Sequence, residues 1–161
     1  MSEPYISYAY ISEILNSYIK TPEVQSMRGF IQHGSVTTYD HCMSVALASY
    51  RFNKRYSLGA DEKQLVIGAF LHDFYLYDWH TKDIAHRLHG FTHAQTACAN
   101  AERIFDIGDK ESKIILSHMW PLTFRRIPKC REAVIVCIVD KICSLKETFL
   151  MRNIETNKKQ L

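Results

Sequence analysis

Residues 131–150, REAVIVCIVDKICSLKETFL, carry the reading of the fold. They read as an apolar helix that encloses one aspartate, Asp140, between AVIVCIV and Ile142. A lone ionised carboxylate in such a setting is costly unless it pairs or binds a cation, so Asp140 is the most telling single residue of the chain. Working back from it, the same helical punctuation recurs and strand signals stay weak. Asp109 caps a helix that runs to His118 and is stopped by Pro121, and the basic segment 122–129 is a loop. Thr92 with Gln95 makes a capping box for a helix that opens at His93 and stops at Gly108. An irregular, aromatic-rich stretch fills residues 74–91. Asp61 with Gln64 makes a second capping box, for a helix ending around His72-Asp73, and Gly59 closes the turn before it. A helix from Thr37 or Thr38 carries His41, Met43, Ala46, Leu47 and Tyr50 towards the core, and Thr21-Pro22-Glu23 starts a short helix that Gly34 ends. The first helix covers residues 5–20, with Ile6, Tyr10, Ile14 and Tyr18 on one face. The expectation is an all-α fold, a single domain of about seven helices over residues 1–150, followed by a polar tail at 151–161.

Composition agrees with one domain. The 161 residues, 47% hydrophobic, suffice for one core and are too few for two comfortable ones. A chain this long buries roughly 70% of its unfolded surface, so neither disulfides nor oligomerisation is required to hold it. The formal charge of +3 is small and scattered; the one dense cluster, Arg125 and Arg126 with Lys129 and Arg131, is short. That speaks against nucleic-acid binding and suits a small anionic substrate. Five cysteines, odd in number and without a CxxC pair, read as reduced thiols of a cytosolic protein. The opening MSEPYISYAYISEILNSYIK is interrupted by polar residues and does not read as a signal peptide. No apolar run approaches the ~20 residues of a membrane span. A cytoplasmic location without a membrane partner is expected, and the oligomeric state stays open.

The histidines and aspartates are not spread evenly. His41 lies in the first turns of a helix, His72-Asp73 at the end of the next, His93 and His118 at helix ends, and Asp140 inside the apolar helix. Helix ends and inward turns are where side chains from separate segments meet around one point. Imidazole nitrogen and carboxylate oxygen suit iron, manganese, zinc, nickel or cobalt.

The order His41, His72-Asp73, Asp140, each on a helix, resembles the HD superfamily of metal-dependent phosphohydrolases. AFLHDF around the doublet matches the family signature, and IVDKI around Asp140 matches its final aspartate with the basic residue that often follows. In dinuclear members two further histidines fall between these, and His93 (HAQTACANAERIF) and His118 (ILSHMWP) stand there. The H…HD…H…H…D order is similar to that of bacterial symmetrical dinucleoside tetraphosphate hydrolases, the HD-GYP group, and HD-type di-iron oxygenases such as myo-inositol oxygenase. The chain departs from HD-GYP, since HMWPLTF stands where a GYP segment would; Thr37 replaces a glutamate sometimes found four residues before the first ligand, and no lysine follows the doublet. The resemblance implies a helical bundle around divalent metal, two ions, with iron or manganese first and zinc, nickel, cobalt or magnesium eligible. Asp73 would bridge, His41, His72 and Asp140 would hold one ion, and His93 and His118 would complete the second. The implied activity is hydrolysis of a phosphate ester or anhydride in a nucleotide-like molecule. An oxygenase of a small polyol or phosphonate, and a ligand-sensing domain that keeps its metal without turnover, are the alternatives.

Further residues have two readings each. Asp78, in FYLYDWH, is a general acid for the leaving group or a surface aspartate. His89 supports a ligand from behind, faces substrate, or is solvated, and His93 is preferred as ligand because Gly90 and the Thr92 cap place the helix start after His89. Arg125, Arg126 and Lys141 bind phosphate or stay solvated, and Tyr75, Tyr77 and Trp79 stack on a base or roof the core. His33, His80 and His86 sit in polar contexts and carry no assigned role.

Overall fold

A computed structural model describes the backbone of residues 3–79 and 89–158, and the side chains of residues 6–32, 34–79 and 90–149. Among these, eight α-helices and one small hairpin follow in order: α1 (Glu3–Ile14), α2 (Asn16–Ile19), α3 (Pro22–Ser26), β1 (Ile31–His33), β2 (Val36–Thr37), α4 (Thr38–Tyr56), α5 (Glu62–Leu71), α6 (His89–Phe105), α7 (Asp109–Ser117) and α8 (Arg131–Lys158). The all-α expectation holds, with one more helix than anticipated.

α5 is the centre of the packing. Every residue from Leu65 to Leu71 is buried, as an apolar helix surrounded by others must be. α4 lies along it most extensively, α7 packs on another side, and α8 closes against α4, α5 and α7. α6 packs on α7, and α1 on α4. Asp61 caps α5 by accepting from Gln64 N at 2.9 Å. The reciprocal half of that box is not made by Gln64; the Asp61 amide donates instead to Glu132 Oε1 at 2.8 Å, which ties the start of α5 to the start of α8. Thr37 caps α4, accepting from Asp40 N at 3.1 Å.

Several boundaries differ from expectation. The first helix breaks at Leu15, and the buried row is Ser7, Ile11 and Leu15, while Ile6 and Tyr10 face solvent. Both rows have a spacing of four, so periodicity does not choose between them. Gly34 does not end a helix: α3 stops at Ser26, and Gly34, at φ 60°, turns the hairpin that pairs Ile31 with Thr37 and His33 with Val36. α6 starts at His89, so Thr92 lies inside it and not at its start. Gly108, not Asp109, is the residue preceding α7, and no side chain caps that helix. α8 runs on to Lys158, past the expected end at Leu150. Its apolar sequence is buried on one side only: Ala133, Val136, Cys137, Asp140 and Cys143 face in, and Val134, Ile138 and Ile142 face out. Among the described residues no helix is long and apolar enough to cross a membrane.

α5 and α7 touch at a position that tolerates no side chain. A Cβ on Gly68 would lie 2.7 Å from Ile114 Cδ1, 2.9 Å from its Cγ2 and 3.0 Å from its Cβ. Gly68 is one turn before His72, and Ile114 one turn before His118, so this contact sets the spacing of two site residues. Overpacking costs ~1–3 kcal/mol, more than the ~1 kcal/mol that alanine gains over glycine in a helix. Gly68→Ala is therefore expected to lower the urea midpoint, and Ile114→Val in the same chain to recover part of the loss. A Gly68→Ala midpoint above the parent's would contradict the close approach.

Candidate metal centre

Five helices each deliver side chains to one buried point. His41 comes from the first turns of α4, His72 caps the C-terminus of α5 with Asp73 following, His93 lies near the start of α6, His118 caps α7, and Asp140 projects from the inward face of α8. All six are buried. His41 Nε2 is 3.2 Å from Asp140 Oδ1, and His72 Nε2 is 3.6 Å from the same oxygen. Asp73 faces both ways: Oδ2 is 3.4 Å from His72 Nε2, while Oδ1 is 3.2 Å from His93 Nε2 and 3.5 Å from His118 Nε2. The Nε2 atoms of His93 and His118 face one another at 2.9 Å.

The outward ring nitrogens explain this aim. His72 Nδ1 donates to Ala69 O and His118 Nδ1 to Ile115 O, each at 2.7 Å. Those carbonyls belong to the last turn of α5 and of α7, where no amide of the helix remains to pair them. A histidine at the C-cap satisfies one with Nδ1–H and thereby points Nε2 past the helix end. His41 has no such carbonyl; its Nδ1 donates to Glu147 Oε2 at 2.9 Å.

The electrostatics favour a cation. Burial raises the pKa of Asp73, but the charges of His72 and His93 outweigh it and hold the carboxyl well below the usual range. Asp140 is likewise lowered against burial, by the hydrogen bond from His41 and by the nearby His72 ring. Burial opposes protonation of His41, yet its bonds to Asp140 and Glu147 raise it to about 10. His118 is pushed down to about 3 by burial and by His72, which leaves its Nε2 lone pair available. His72 Nε2 and Asp73 Oδ1 are fully buried and have no hydrogen-bond partner among the described residues. Three ligand groups have donor atoms within 4.8 Å of one another: His41, His72 and Asp73; His72, His118 and Asp140; and Asp73, His93 and His118. Orphaned polar atoms in such an environment are costly, and a divalent cation among imidazole nitrogens and carboxylate oxygens resolves them.

A family profile of the HD domain matches residues 38–145, a span that contains all six residues. The chain belongs to the HD domain family. No curated protein and no solved structure is significantly similar to it. HD domains bind divalent metals, and the six residues read as ligands from sequence are the ones brought together here. His93 is one of these six, and the helix that carries it begins at His89, four residues before it, not after His89.

An open cavity of about 1060 Å³ lies over this HD site, with Asp73, His93, His118 and Asp140 in its lining. Lys141 lines it too, but its Nζ already donates to His118 O and Cys137 O, both at 2.9 Å, and to Cys137 Sγ at 3.3 Å. Trp79 lines the cavity, whereas Tyr75 is buried edge-on to the His93 ring and lies tilted against the Tyr77 ring. Arg125 and Arg126 are exposed on the turn after His118 and are not among the lining residues; Arg125 lies 5.4 Å from the Phe124 ring centre. Asp78 is half-buried and is not among the lining residues either. The side chains of His33 and His89, and residues 80–88 with His80 and His86, lie outside the described residues.

Two participants were missed from sequence. Glu147 sits seven residues after Asp140, two turns along the same face of α8, a spacing that could have flagged it. Gln32, whose Nε2 donates to Asp73 Oδ2 at 2.6 Å, gave no signal, since it lies on a strand that was read as part of a helix.

Removing Asp73 takes away the carboxylate shared by two ligand groups. Asp73→Ala is expected to abolish metal retention and lower the thermal midpoint, checked by elemental analysis beside melting curves. Equal metal content in variant and parent would overturn the assignment. Glu147→Ala is expected to weaken metal affinity by about 10–100-fold, the usual effect of losing a carboxylate behind a ligating histidine, measured by competition with a chelator.

Proposed function

We propose that the chain hydrolyses a phosphate ester or anhydride in a small, nucleotide-like molecule, using two divalent ions. The observation that carries this reading is Asp73, which turns one oxygen towards His72 and the other towards His93 and His118. In this reading His41, His72 and Asp140 hold one ion, His93 and His118 the other, and Asp73 serves both. Iron or manganese is the first choice, with zinc, nickel, cobalt and magnesium as further candidates. Such ions supply Lewis acidity towards phosphoryl oxygens and lower the pKa of a coordinated water.

The chain's own residues do the rest. The C-cap geometry of His72 and His118 keeps their rings from turning, so the ligand set is in place before substrate arrives. Lys141 lies beside Asp140 in the cavity wall. We assign it a phosphate oxygen, taken in exchange for Cys137 Sγ, since thioether and thiol sulfurs are weak acceptors. Arg125 and Arg126, on the exposed turn, are assigned the outer end of the substrate, where a guanidinium fork suits phosphate. Asp78 is the candidate to protonate the leaving group, and His89 the candidate substrate-facing residue. The apolar side chains of Met119, Pro121, Leu122 and Leu145 line the cavity and suit a base or another flat organic moiety.

The expected result is close to two ions per chain in protein prepared with iron or manganese, and phosphate release from at least one nucleotide in a substrate screen. Substituting His93 should remove one ion and leave the other. Replacing Arg125 and Arg126 together should raise KM about tenfold at unchanged metal content, equivalent to ~1.4 kcal/mol. Metal-loaded protein that releases no phosphate but consumes oxygen with a polyol or phosphonate would overturn the hydrolase reading. Ligand binding without any turnover would point to the sensing domain.

A further inference from the structure

Gln32 lies on β1, ahead of the span that matches the HD family, yet it reaches the centre of the site. It is only 7% exposed and lines the cavity. Its Nε2 donates to Asp73 Oδ2 at 2.6 Å, and its Oε1 accepts from the Tyr75 hydroxyl, with Thr38 Oγ1 3.3 Å away on the same side. These contacts fix which end of the amide is which. The reversed amide would set a carbonyl oxygen against a carboxylate and an amino group against the phenol, so the orientation follows from the network.

A primary amide carries two N–H groups. Asp73 takes one, and the second has no acceptor among the described residues. A buried donor without a partner is costly, so its acceptor is to be sought in what fills the cavity. The position is suited to an anion that would otherwise be repelled: the amide covers one oxygen of Asp73 and offers an uncharged donor beside it. Unlike a lysine or histidine, it does not change its charge or its number of N–H groups with pH.

We propose that Gln32 contacts the substrate, its free N–H donating to a phosphoryl oxygen bound against Asp73, with Tyr75 holding the amide in register. This rests on the phosphohydrolase reading above. Inorganic phosphate titrated calorimetrically into metal-loaded protein tests it, with metal content measured on the same samples. Gln32→Met, which keeps the length of the side chain and loses the donor, is expected to weaken phosphate binding about tenfold at unchanged metal content. Tyr75→Phe, which leaves the amide in place but free to turn, is expected to weaken it about threefold. Phosphate affinity equal to the parent's in Gln32→Met overturns the proposal, and so does loss of metal together with phosphate, which would make Gln32 only a support for Asp73. Should Gln32→Met fail to fold, unchanged affinity in Tyr75→Phe overturns it instead. A parent that binds no phosphate sinks this proposal and the hydrolase reading together, whereas a parent that binds it as tightly as both variants sinks only this one.

Discussion

Asp73 and Asp140 are carboxylates buried where five helices meet, and the surrounding packing keeps them compensated. Each is taken out of water at a cost that only a close positive charge can offset. The four imidazoles do part of this, which is why His41 holds a proton against its burial while His118 does not. The arrangement still leaves His72 Nε2 and Asp73 Oδ1 without hydrogen bonds. A cluster of this kind is poorly satisfied as a plain protein core and well satisfied around cations. The site and the fold are thus one problem: the helices cannot close on these residues unless the charge is answered.

The close approach of α5 and α7 serves the same end. With a glycine at residue 68 and an isoleucine facing it, the two helices sit near enough for their C-terminal histidines to share the site, their ring centres 4.9 Å apart. Glu132 adds a second tie, since it accepts from the Asp61 amide and so joins the start of α5 to α8. Asp140 on α8 and the His72-Asp73 doublet beyond α5 are therefore held from both ends of the central helix.

Much of this was legible in the sequence, for identifiable reasons. The six residues of the cluster could be read because histidine and aspartate in apolar helical surroundings are rare and their order along the chain is distinctive. Thr37 and Asp61 could be read because a cap acts within three residues of itself. What escaped was decided by contacts distant in sequence or by equivalent local choices. Periodicity could not choose between the rows Ile6–Tyr10 and Ser7–Ile11, because core packing selects the face. Gly34 looked like a helix stop, but its positive φ serves a hairpin equally well. Thr92 had the composition of a cap, but the helix was already under way. Gln32 is tied to Asp73 across forty-one residues, a distance no local pattern spans.

The contrast among the histidines shows how local and distant interactions divide the work. His72 and His118 use one device: Nδ1 donates three residues back to a carbonyl that the helix end leaves unpaired. The support is built into the helix, so placing the helix places the imidazole. His41 lies near the start of α4, where the free backbone groups are amides rather than carbonyls, and an Nδ1–H finds no partner in its own helix. Its support must come from elsewhere, and Glu147 provides it from α8 across more than a hundred residues. α8 therefore has to continue two turns beyond Asp140 before the support of the cluster is complete. α8 thus holds the first histidine at both ring nitrogens, Asp140 at Nε2 and Glu147 at Nδ1.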